Sequence, residues 1–268
     1  MNDLDELRYG MNLGIKIFPE FAKIASKNDI KTEEHLISAF YHYIGHMSEK
    51  TLADTYILCF AEHNHDNNDG LLSMWRSYAN QGHGAAIVFN SQKIPRNEAI
   101  PLRIAKVIYL DNQEREKLLK DYLLKWAQIT SLNKLTGRDL DHASYAAFLF
   151  VKGFSLIVKH KGFSEEKEWR IIYTPEGDLN HFMEKYLSAV ILDQGAEPKL
   201  KLDIKDMFSQ FGIDTNITEL IEFVILGPSS SSPIAKSAFC RAISGSVKNA
   251  NDFVRSSNIP LRPSVKTR

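Results

Sequence analysis

The stretch DLDHASYAAFLFVKGFSLIVKH, residues 139–160, restricts the fold more than any other part of the chain. Its apolar residues recur at helical spacing yet cover most of the helix circumference, so this helix must be buried on most sides. The segment before it, QEREKLLKDYLLKWAQIT (113–130), is also strongly helical. Two more amphipathic helices are predicted at 11–27 and 31–47, with Thr32 as N-cap of the second; Asp139 or Asp141 would cap the apolar helix. A short helix is expected at 71–79, a helical segment at 201–212, and a serine-capped, proline-led helix in SSSSPIAKSAFCRAI.

Short runs rich in β-formers and bounded by turn residues predict strands at 55–60, 85–90, 103–110, 168–174, 188–193 and 221–227. The runs at 85–90 and 103–110 read as antiparallel neighbours. Strands and helices do not alternate regularly, so the expectation is α+β: a mixed, largely antiparallel sheet flanked by helices, with a helical insertion. No repeat, coiled coil or obvious linker is seen, and the reading is one domain over 1–268 with a helical lobe at about 113–158.

Charge excludes little. Lys and Arg number 33, as do Asp and Glu, so there is no global pull toward nucleic acid or an anionic membrane. The opening residues lack the apolar core of a signal peptide, and no apolar run reaches bilayer length. A soluble, cytoplasmic protein without a membrane partner is expected. Cys59, inside the run TYILCF, reads as a buried, reduced thiol.

Two segments concentrate chemistry. In LLSMWRSYANQGHGAAIVF, helical spacing puts Met74 and Tyr78 on one face with Trp75 alongside. The plain account is a core-facing turn; the functional one is a stacking wall for a planar ligand, with Ser73 and the Tyr78 hydroxyl as polar contacts and Gly82 and Gly84 letting backbone approach the ligand. In GFSEEKEWRIIY, strand alternation would put Glu166, Glu168 and Arg170 on one face and Lys167, Trp169 and Ile171 on the other. If the second face is the core, the first presents two carboxylates and a guanidinium, and Arg170 can hold one carboxylate ionised while the other orients or deprotonates a substrate hydroxyl. A solvated strand entrance with incidental ion pairs is the plain alternative. His160, with Lys159 and Arg170, could form a small phosphate-binding edge. The EHNHD loop lacks a matched ligand cluster, and no metal is predicted. The serines at 229–232 precede no Gly-Lys-Ser/Thr, so a Walker-type loop is excluded.

The segments LSMWRSYANQGHGAAIVF, FSEEKEWRIIY and VILGP together resemble a bacterial family, the domain of unknown function twenty-nine seventy-one. Its Ser-Met-Trp-x-x-Tyr pattern falls on Ser73, Met74, Trp75 and Tyr78, its Glu-x-Glu-Trp-Arg strand on Glu166, Glu168, Trp169 and Arg170, and its Asn-Asp-x-x-Glu on Asn2, Asp3 and Glu6. The resemblance implies a divergent ADP-ribosyltransferase-like fold and a place in toxin or antiphage defence systems. It implies NAD as substrate, cleaved through an oxocarbenium-like state, with Glu166 or Glu168 holding the ribose 2′-hydroxyl and Trp75 and Tyr78 walling the nicotinamide pocket. Family members often begin with a strand like Leu-Tyr-His-Tyr-Thr, and this sequence starts just after it. The expected activity is thus that of an ADP-ribosyltransferase or NAD glycohydrolase. The alternative is a non-catalytic module of a defence complex that binds a nucleotide, nucleic acid or protein partner in the same cleft. Both expectations require the acidic strand and the aromatic helix to line one cavity.

Overall fold

A computed structural model describes residues 2–80, 82–133, 135–192, 195–247 and 249–261, and leaves the side chains of 2–4 and 46–53 outside the description. In chain order the elements are α1 (Asn2–Ala25), α2 (Ile30–Ala53), β1 (Tyr56–Ala61), α3 (Leu72–Tyr78), β2 (Ala85–Phe89), β3 (Arg103–Lys106), β4 (Ile108–Leu110), α4 (Asn112–Leu132), α5 (Arg138–Ile157), β5 (Val158–His160), β6 (Glu168–Tyr173), β7 (Leu187–Leu192), β8 (Gly195–Leu200), α6 (Ile204–Ser209), α7 (Ile217–Leu220), β9 (Ile221–Leu226), α8 (Pro233–Ile243), α9 (Ala250–Phe253) and β10 (Val254–Ser256). The class is mixed α+β, with small, largely antiparallel sheets and helices.

The chain divides into two compact units. The first holds Met1–Phe60, Pro101–Met183 and Ala189–Lys199. Its core lies among α1, α2, α4 and α5, where Phe18 stacks on Phe40 at a ring separation of 3.8 Å and Leu36, Leu119, Leu123, Phe148 and Val151 are fully buried. Helix α5 is enclosed on most sides, as its apolar circumference requires. Gly10 and Gly14 let α1 lie close against α5: a Cβ on Gly10 would stand 2.2 Å from the Ser155 Oγ, and one on Gly14 2.4 Å from a Val151 methyl. This unit also holds a three-stranded sheet, β1-β6-β3, the short parallel pair β4-β5, and most of the two-stranded sheet β7-β8.

The second unit holds Ala61–Ile100, Glu184–Ser188 and Leu200–Arg268. Its sheet, β10-β9-β2, pairs β9 parallel with β10 and antiparallel with β2. Trp75, Ala79, Phe223 and Ile225 cover one side of it, and Leu226, Cys240 and Val254 gather on the other.

Four local expectations change. The strands at 85–89 and 103–106 are not neighbours: β2 pairs with β9 and β3 with β6, each inside its own unit. Asp29, not Thr32, caps α2, its carboxylate accepting the Thr32 N–H at 2.9 Å. Helix α5 starts after Gly137 at φ 53° without a side-chain cap, and Asp141 instead meets His35 Nε2 at 2.9 Å. Cys59 is exposed rather than buried, because β1 is only partly covered and its apolar run extends onto the open side.

Candidate active site

The turn that leads into β6 is exposed at residues 162–165 and at Lys167, but the charges on the strand itself are buried, the reverse of a solvated edge. On β6 the residues Glu168, Arg170 and Ile172 are buried while Trp169 is 37% exposed. Strand alternation therefore points the charges inward and the tryptophan outward. On that outer side the Lys106 ammonium lies 5.6 Å from the Trp169 ring centre, and the two residues are cross-strand partners.

Glu166 is not on the strand. After β5, His160 accepts the Gly162 N–H through Nδ1 and starts a 3₁₀ turn over Lys161–Glu166, which ends at Lys167 in the left-handed region, φ 43°. That reversal folds Glu166 back onto Lys159. The Lys159 Nζ then donates to Glu166 Oε2 at 2.6 Å and to Glu168 Oε2 at 3.2 Å. Arg170 grips Glu168 with both arms, Nε to Oε1 at 2.7 Å and Nη2 to Oε2 at 3.3 Å, a bidentate arrangement. Its Nη1 donates to the Leu156 carbonyl in the last turn of α5 at 2.7 Å, where a cation also suits the helix dipole. Glu6, from the family-like Asn-Asp-x-x-Glu segment, joins the group at 3.3 Å from Arg170 Nη2. The Glu168 N–H donates to the Tyr109 hydroxyl at 2.8 Å. The side chains of Asn2 and Asp3 lie outside the described residues.

The electrostatics follow from this geometry. Burial pushes the Glu168 carboxyl up, but hydrogen bonds from Arg170 and the Cys59 thiol, with the charges of Arg170 and Lys159, outweigh it and hold the group below the usual glutamate range. Burial likewise opposes the Lys159 charge, and Glu166, Glu168 and Glu6 more than reverse that, so its ammonium stays protonated well above the ordinary lysine value. Each charge is tolerated in the interior because its counter-charge is within bonding reach; removing one member would strand the others. Glu166 is the more open of the two glutamates, its side chain 18% exposed against 6% for Glu168.

The aromatic segment is built differently. Trp75 is 4% exposed, and its indole N–H donates to the Asp69 carbonyl at 2.7 Å. It is a core residue, as the plainer account of its spacing had it. Ser73 is exposed, and Tyr78 is 68% exposed. The glycine turn serves backbone contact within the protein. The Gly227 N–H donates to the Gly84 carbonyl at 2.9 Å and the Ser229 N–H to the Gly82 carbonyl at 3.0 Å. A Cβ on Gly227 would stand 2.4 Å from the Gly82 oxygen, and one on Gly84 2.8 Å from the Ala79 Cβ. This joins two family-like motifs, the turn after the aromatic helix and VILGP, for a packing reason.

Glu6, Glu166, Glu168 and Arg170 are thus brought together in the first unit, with Lys159, which sequence reasoning mentioned only beside His160. Its signal was present: a lysine just beyond an apolar helix and seven residues before the acidic pair. His160 is exposed and occupied as a turn cap. Ser73, Trp75, Tyr78, Gly82 and Gly84 all belong to the second unit. In the EHNHD loop, His65 meets Glu222 at 3.1 Å, and burial together with the Arg255 charge lowers the His63 pKa. Among the described residues no group of three or more His, Cys, Asp or Glu could hold a metal ion, and no helix is long and apolar enough to cross a membrane.

Comparison with curated proteins and with solved structures found no match. The model of the family described as Protein of unknown function (DUF2971) matches residues 74–171, a span that runs from Met74 beside Trp75 through Lys159 and the glutamates to Arg170. That match supports the motif resemblance: over residues 74–171 the chain is similar to the DUF2971 family.

Proposed function

We propose that the chain is an NAD-consuming, ADP-ribosyltransferase-like effector of a bacterial toxin or antiphage defence system, acting in the cytoplasm through Glu166. The observation that carries this reading is the division of labour in the ion cluster: Lys159 fixes Glu166 at 2.6 Å while Glu166 keeps the more open side chain. Cleavage of the nicotinamide–ribose bond sends the bonding pair to nicotinamide and leaves positive charge on the ribose. An ionised carboxylate held in place stabilises that charge without reorganising, and it can accept the ribose 2′-hydroxyl proton in a hydrogen bond. Water or an acceptor nucleophile then bonds to the ribose carbon and loses its proton. Glu168, Arg170 and Lys159 are positioning residues here.

A second reading has its own support. Both Glu168 oxygens are engaged by Arg170 and Lys159 in the interior, which suits a structural role and hence a non-catalytic module that binds a nucleotide, nucleic acid or protein partner. Nicotinamide release by purified protein decides between them. The enzyme reading expects release by the native chain and a loss of at least about a hundredfold in kcat for Glu166→Gln, assayed at a temperature where the circular-dichroism spectrum of the variant matches the native one, since the lost charge also weakens the Lys159 cluster. Folded native protein that binds NAD without releasing nicotinamide supports the module; turnover unaltered in Glu166→Gln removes the assignment to that residue.

A further inference from the structure

The loop over residues 62–70, EHNHDNNDG, contains no aliphatic side chain. Hydrogen bonds pin it within the second unit. The Trp75 indole N–H and the Ser257 hydroxyl donate to the Asp69 carbonyl at 2.7 and 2.8 Å, the Asn258 N–H donates to the Asp69 carboxylate, and Arg255 Nη1 donates to the Asn68 side chain. Gly70, at φ 73°, lies so close to Trp75 that a Cβ there would stand 2.9 Å from the indole nitrogen. The ring of His63 meets the buried Phe223 edge-on, with ring centres 5.6 Å apart and planes at 72°. His65, the other imidazole of the loop, is exposed. The His63 ring is therefore the loop's contact with the aromatic core, and it suits that place only while neutral.

The surroundings of His63 disfavour a charge. Its Nε2 is buried and has no hydrogen-bond partner among the described residues, so a proton there would donate to nothing. The Arg255 guanidinium lies 3.4 Å over the same Phe223 ring and forms no ion pair among the described residues to offset its charge. Glu222 of β9 is the one opposing group, and its carboxylate is already engaged by His65 at 3.1 Å. Burial first, then the charges of Arg255 and His65, outweigh Glu222 and keep the His63 pKa below the ordinary histidine value.

We propose that His63 is an acid-released latch: on gaining a proton it leaves Phe223, and the loop over residues 62–70 lifts from Trp75 and β10. The closed loop binds fewer protons than the open one. Its stability is therefore full above the ordinary histidine value of 6.5 and is lost as pH falls through the lower value of the closed state. The hydrogen bonds that remain contribute about 1 kcal/mol each, so a stranded charge beside Arg255 removes a large share of what holds the loop. Protonation of His65 works the other way by strengthening its pair with Glu222, but that pair is exposed at His65 and contributes little. Opening uncovers the Trp75 and Phe223 rings, and the device stands apart from any reading of the Glu166 site.

Indole N–H exchange, followed by NMR on the full chain, tests the latch against an internal reference. Trp75 and Trp126 both donate to a backbone carbonyl, those of Asp69 and Ala143, and Trp126 sits in the core of the first unit. The protection of Trp75 relative to Trp126 is expected to fall about tenfold between about pH 7 and about pH 5. His63→Phe keeps a ring that cannot be charged, and its ratio should stay level over the same range. A level ratio in the native chain overturns the proposal, and so does a His63→Phe variant that keeps the native fall. Should His63→Phe fail to fold, the titration of the His63 ring protons in the native chain decides: a midpoint below 6.5 upholds the latch, and one at or above 6.5 overturns it.

Discussion

The sheet-forming residues of the first unit and those of the second solve one problem by opposite means. At β6 the first unit buries Lys159, Glu168 and Arg170 and neutralises them against one another and against the half-buried Glu166 and Glu6. At the turn between α3 and β2 the second unit removes side chains altogether, so that Gly82 and Gly84 accept backbone hydrogen bonds from Gly227 and Ser229. Both stretches stand out in the sequence as candidate chemistry. The difference teaches that a glycine cluster near an aromatic helix can be explained by packing alone, whereas a buried charge cluster with one half-open carboxylate needs a further reason to persist, because well-packed apolar residues would cost less.

The contrast breaks first at Arg170. Arg170→Met leaves Glu168 and Glu6 without their guanidinium in the interior, and a loss of about 3–5 kcal/mol is expected in urea unfolding; a loss under about 1 kcal/mol means the network is not what holds β6 to α5. Gly227→Ala comes next. Its methyl meets the Gly82 oxygen, a backbone atom that cannot swing aside, and a cost of about 1–3 kcal/mol is expected, with little effect from Gly137→Ala beyond its φ strain because nothing lies near that position.

Titration sharpens the comparison without mutating the fold. Glu168 has a folded pKa below the 4.5 of an ordinary glutamate, so its contribution is present above 4.5 and is lost as pH falls through the lower folded value. Lys159 has a folded pKa above 10.5, so its contribution is present below 10.5 and is lost only as pH rises through the higher folded value. Urea midpoints of the native chain and Glu168→Gln should therefore differ most between those limits and converge in acid. Smallest of all is Tyr78→Ala: as an exposed side chain it should shift unfolding by no more than about 0.5 kcal/mol, and any larger effect on NAD or nucleotide binding than on stability assigns the ring to a ligand.

Legibility differed from place to place for physical reasons. The helices announced themselves because their periodicity is local: the α4 capping box between Asp111 and Glu114, and the Ser232 cap before Pro233, are closed by residues three apart. The α5 circumference also declared its burial. Strand partners were not legible, since the runs at 85–90 and 103–110 look alike in pattern while their actual partners, β9 and β6, lie far along the chain. The acidic site was half legible. Alternation grouped Glu168 with Arg170, but the left-handed Lys167 takes Glu166 off the strand, and a turn of that kind is not written in polarity.

What the sequence alone determined is therefore which residues are helical, which are strand-like, and which carry unusual chemistry, because each is set by neighbours within a few positions. Which face of β6 turns inward, and which cation holds which carboxylate, was decided only by the tertiary structure. Inversion of a strand moves every charge to the opposite side at no local cost, and only the fit of Lys159, Arg170 and Glu6 from three separate elements makes the buried choice the stable one.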